Sequence, residues 1–156
     1  MREYLTPERK EMYMKDFKEN VLTCKDEYWK LDRGIEATLI AINQHQDRQT
    51  IYSRFYTSHS EDGPLSYLIL SITKDYEPKL NKVASILKNK YKKEFKFDIE
   101  PPTKFLGDTE NPLASNLSCN TNPEHFNISL FNLQLYTKKP KVHKAFWSDI
   151  ENLLIK

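Results

Sequence analysis

The spacing of apolar residues changes rhythm at residue 49, and this confines the chain to folds that combine helices with a sheet. Before the change, Tyr28, Leu31, Ile35, Leu39 and Ile42 recur at steps of three, four, four and three, one apolar stripe along a helix. After it, Ile51 and Phe55 alternate with Tyr52, Arg54 and Tyr56, which is the period of a strand. Upstream, Thr6-Pro7-Glu8 offers a capping hydroxyl, a proline for the first helical position and an acid beside the positive end of the helix dipole. A first helix is expected there, with Met14, Phe17 and Val21 on its apolar side. The second is expected to start at Thr23, with Asp26 as its capping-box partner, and to run about twenty residues to Ile42. Gly34 within it costs about 1 kcal/mol against alanine and marks a bend or interruption.

Residues 65–73 are apolar on both faces, with Leu68, Leu70 and Ile72 on one and Leu65, Tyr67 and Ile69 on the other, so this strand should be central. It should pair antiparallel with the strand around Ile51 across the turn His59-Ser60-Glu61-Asp62-Gly63-Pro64. Pro78 opens a helix whose inner stripe is Leu80, Val83, Ile86, Leu87 and Tyr91, and Phe95, Phe97 and Ile99 alternate in the strand after it. No periodicity survives from 101 to 124, which reads as a long irregular loop pinned by Phe105, Leu106, Leu113 and Leu117. Phe126, Ile128 and Leu130 then alternate on one parity and Phe131, Leu133 and Leu135 on the other, which suggests a β-bulge near Leu130. Pro140 starts the last helix, with Val142, Phe146, Ile150 and Leu153 inward. The expected fold is α+β, with two N-terminal helices followed by ββα-ββα and an antiparallel sheet packed against helices. A single domain should span 1–156.

Composition narrows the functions. The chain has 24 basic and 22 acidic side chains, a formal net charge of +2, so it lacks the overall basic excess of a duplex-DNA binder. With three glycines it has no GxGxxG, GxxxxGK[ST] or GxSxG motif, which argues against the common kinds of nucleotide-dependent chemistry. His45, His59, His125 and His143 show no metal-ligand spacing, so no metal or cofactor is expected and each is read as a surface residue. Cys24 and Cys119 are read as reduced, buried thiols, with a bridge between the two left open by the sequence. No apolar run reaches about 18 residues, so no membrane span is expected. No signal-like run follows Met1, so the expected compartment is the cytoplasm.

What stands out is the aromatic content of the hairpin. Tyr52, Arg54 and Tyr56 should face away from the core, with Tyr67 on the partner strand and His59, Glu61 and Asp62 at the turn. Tyrosine and arginine are enriched in binding hot spots because they combine contact area with a polar tip. The favoured reading is a small non-enzymatic module, of inhibitor, immunity or adaptor type, whose partner is another protein held by these residues and the 101–124 loop. The alternative is a nucleic-acid binder using Lys88, Lys90, Lys92, Lys93 and Lys96, or a metal-independent ribonuclease with His59 or His125 as acid or base beside Arg54.

Overall fold

A computed structural model of the chain describes residues 2–25, 31–32, 34–56, 63–100 and 128–156. Among these, four α-helices accompany one four-stranded antiparallel sheet. The helices are α1 (Pro7–Asp16), α2 (Glu36–Asn43), α3 (Glu77–Tyr91) and α4 (Pro140–Leu154). The strands are β1 (Arg48–Arg54), β2 (Leu65–Ile72), β3 (Phe95–Glu100) and β4 (Leu130–Tyr136), in the spatial order β1-β2-β4-β3. The fold is therefore α+β. No helix among the described residues is long and apolar enough to cross a membrane.

β2 takes a central place because both of its faces are apolar, and each finds a core of its own. Leu68, Leu70 and Ile72, with Phe131, Leu133 and Leu135 of β4, pack beneath α2, α3 and α4 through Leu39, Ile42, Leu80, Leu87, Phe146 and Ile150. On the opposite face a smaller core joins Ile69, Ile51, Tyr52, Ile128 and Leu130 to Leu5 and Tyr13. The N-terminal segment is sewn to this outer face by backbone bonds from Leu5 N to Ile72 O and from Ser129 N to Glu3 O, both 2.8 Å. Tyr13 sits in the smaller core and Phe17 in the main one, so the end of α1 and the π-turn Phe17–Val21 serve both. As its sequence predicts, α1 opens with Thr6 Oγ1 accepting from Arg9 N at 3.2 Å and Pro7 in the first turn.

The structure corrects several expectations. The helix expected from Thr23 to Ile42 is confined to α2: Leu31 and Asp32 are not helical, and Gly34 adopts φ +93°, which ends any continuous helix there. Tyr28 and Asp26 lie outside the described residues. β4 runs in unbroken register from Leu130 to Tyr136, so no bulge separates its two apolar sets. Both parities are apolar because Leu130 and Ile128 enter the smaller core while Phe131, Leu133 and Leu135 enter the main one. The bulge is in β1 instead, between Thr50 and Tyr52. Cys24 is disulfide-bonded, not reduced. Cys119, His59, His125 and the stretch 101–124 lie outside the described residues.

Candidate interaction surface

Register aligns one residue from each strand into a row across the outer face: Arg54 opposite Tyr67, Tyr67 opposite Gln134, and Gln134 opposite Lys96. At the usual strand separation such a row is about 14 Å long. The neighbouring row is Tyr52, Ile69, Asn132 and Asp98. Leu5 and Tyr13 cover its β1–β2 half, while Asn132 and Asp98 keep access to solvent. The outer face is thus half roofed by the N-terminal segment and half open among the described residues.

Polar side chains of the open half hold one another. Asn132 Nδ2 donates to Gln134 Oε1 at 3.1 Å, and Lys96 Nζ lies 3.3 Å from Asp98 Oδ2. At the β1 margin, Asp32 accepts the Phe55 N–H at 2.7 Å. Burial raises the Asp32 carboxyl above its ordinary range, while that N–H and the nearby Arg54 charge pull it down. Cations and carboxylates therefore alternate here, without a net excess of either.

Arg54 and Tyr67 stand on the outer face as the sequence implies. Tyr52 shares that face but is only 2% exposed, because α1 lies on it. Burial drives its hydroxyl well above the ordinary tyrosine range. The β1 bulge sends Ile51 to the same small core, whereas alternation paired it with Phe55; Phe55 itself stacks on Trp147 at 6.2 Å. Tyr56 lies past the end of β1, with its ring 4.6 Å from the His143 ring, so it leaves the outer surface altogether. His59, Glu61 and Asp62 fall outside the described residues.

His143 was expected at the surface and is fully buried. Tyr56 N donates to Ser66 Oγ at 3.0 Å, Ser66 Oγ and His143 Nδ1 are 2.7 Å apart, and His143 Nε2 meets Thr137 O at 2.6 Å. One tautomer satisfies all three: the hydroxyl donates to Nδ1 and Nε2–H donates to the carbonyl. A serine bonded to a histidine is the arrangement of a nucleophile and its base. Here both groups are sealed, at 0% exposure, and every polar atom is taken. The relay ties the ends of β1, β2 and β4 to the start of α4. Sequence could not flag it, since Ser66 and His143 are 77 positions apart.

Of the lysine run, Lys90 pairs with Asp149 at 2.7 Å and Lys96 with Asp98, while Lys88, Lys92 and Lys93 are exposed without an ion pair among the described residues. A groove of about 520 Å³ between α3 and β3 has Lys88 and Lys96 on its walls. No protein family, curated protein or solved structure matches this chain, so geometry and chemistry alone carry the functional reading.

Proposed function

We propose that the protein is a non-enzymatic binding module that docks another protein on its outer sheet face, along the margin of the part that the N-terminal segment covers. The row Arg54–Tyr67–Gln134–Lys96 carries this reading: it presents a guanidinium, a phenol, an amide and an ammonium in line on four strands of one sheet. These groups combine contact area with directional bonds, the character of an interface hot spot. Asp98 and Glu100 lie beside them, so a polyphosphate laid along the row would meet carboxylates. A protein surface carrying both signs of charge would match it. His59, Glu61 and Asp62, on the β1–β2 connection, would supply the rim.

The same reading takes the chain as one domain built from two ββα units, β1-β2-α3 and β3-β4-α4. Support comes from the strand order, which sets the second strand of each unit at the centre and the first at an edge. That is the arrangement a two-fold axis between β2 and β4 requires. For compartment we propose an oxidising one in place of the cytoplasm, because Cys24 is disulfide-bonded and such bonds persist where thiols are not kept reduced.

A photo-crosslinking amino acid at position 67, compared with one at Ile86 of α3, which is 50% exposed and not part of the inner stripe that its spacing implies, tests the docking surface in extract of the source cell. A discrete protein adduct at 67 and not at 86, lost in Arg54→Ala/Gln134→Ala, is expected. Identical adducts from both positions, or an adduct indifferent to those substitutions, would overturn the reading.

A further inference from the structure

Antiparallel pairing gathers a set of lysines that the sequence keeps far apart. Phe95 stands opposite Leu135, so the residues before Phe95 and those after Leu135 leave the sheet side by side. The first stretch holds Lys92 and Lys93, preceded by Lys88 and Lys90 in the last turn of α3. The second holds Lys138 and Lys139, followed by Lys141 and Lys144 on α4. All eight are exposed. Lys90 is engaged by Asp149; the other seven have no ion pair among the described residues.

Fold stability accounts for only part of this cluster. Cations favour the C-terminal end of a helix, which explains Lys88 and Lys90. Lys139 and Lys141 lie at the opposite kind of end. Lys139 is the N-cap of α4 without a side-chain cap bond, and the first turn contains no acid. Positive charge there opposes the helix dipole, so the fold gains nothing from it. Beside these lysines, Tyr136 ends β4 with 58% of its surface exposed, although it belongs to a central strand.

We propose that this end of the molecule binds single-stranded nucleic acid, with the lysines along the phosphates and the Tyr136 ring stacked on an unpaired base. An exposed ring beside a lysine track suits a single strand, whose bases are free to stack; the bases of a duplex are already stacked. Tyr136 adjoins the docking row, two positions beyond Gln134 on the same face, but the lysines lie past the strand ends and the proposal does not depend on that reading. A net charge of +2 is no obstacle, because the excess is local.

The test is fluorescence anisotropy of the full chain with a labelled mixed-sequence 20-nucleotide RNA in 50–200 mM salt. Engaging about five phosphates predicts roughly a hundred-fold loss of affinity across that range. Lys93→Glu/Lys139→Glu/Lys141→Glu should abolish binding, and Tyr136→Ala should weaken it about ten-fold. Lys15→Glu/Lys18→Glu/Lys74→Glu, an equal charge change away from this end, should weaken it far less; circular dichroism checks that each variant is folded. No binding at 50 mM salt, equal losses from the two triple variants, or stronger binding to duplex DNA or phosphatidylserine vesicles would each overturn the proposal.

Discussion

Lys10 is the least expected residue of α1. Its ammonium donates to Asn43 O at 2.8 Å, Arg48 O at 2.7 Å and Gln49 Oε1 at 2.8 Å, and the residue is 3% exposed. Three neutral oxygens satisfy its protons, but no carboxylate bonds it, so burial brings its pKa down to about 8 against a slight rise from Asp47. Between that value and the ordinary lysine range, the unfolded chain binds a proton that the folded chain has released. Stability contributed by this group therefore rises with pH through that window. Urea unfolding should show a gain on the order of 2 kcal/mol between pH 7 and 9.5. Lys10→Met should flatten that rise; an equal rise in the variant would show that another group causes it. Above about pH 10 the trend should reverse, since burial holds Tyr13 and Tyr52 protonated after the unfolded tyrosines ionise. Nothing in the sequence marks Lys10, because its acceptors are brought in from residues 43–49 by the turn between α2 and β1.

Elements were legible where local chemistry decides them. Thr6-Pro7 specifies the start of α1, and Thr6→Ala should cost about 1 kcal/mol by urea denaturation, because Arg9 N loses its acceptor. Pro78 and Pro140 likewise mark the openings of α3 and α4. Alternation placed β2 correctly, with both of its faces covered, but in β4 it suggested a bulge that is absent and in β1 it hid the one that is present. The relay at Ser66 adds a pH response to the strand ends. Burial lowers the His143 pKa, against smaller opposing effects of the Thr137 carbonyl and the Glu94 charge. As pH falls below the ordinary histidine value of about 6.5, the unfolded chain takes up a proton that the folded one refuses. Stability should fall as pH drops from 7.5 to 5.5. In His143→Gln that slope should vanish, though the variant is less stable throughout. A slope unchanged by the substitution would place the titration elsewhere.

At the scale of the whole molecule, the candidate surface could not be read in advance, because its boundary is set by long-range packing. The pairing of β2 with β4 creates the row containing Tyr67 and Gln134, and the N-terminal segment decides which part of the outer face stays open by covering Tyr52 and Ile69. The two cores that result share β2 and β4, so neither can come apart while the other keeps its sheet. This makes a prediction about cooperativity. Tyr13 belongs to the smaller core and Trp147 to the main one. In a Trp29→Phe background, where Trp147 is the remaining tryptophan, Tyr13→Ala should cost about 3 kcal/mol. The Trp147 fluorescence midpoint should then fall with the far-ultraviolet circular dichroism midpoint, as one transition. Ile86→Ala, on the exposed side of α3, should move neither. If Tyr13→Ala instead split the transition and left Trp147 at its original midpoint, the N-terminal segment would be a separable cover, and the open half of the outer face could widen without unfolding the sheet.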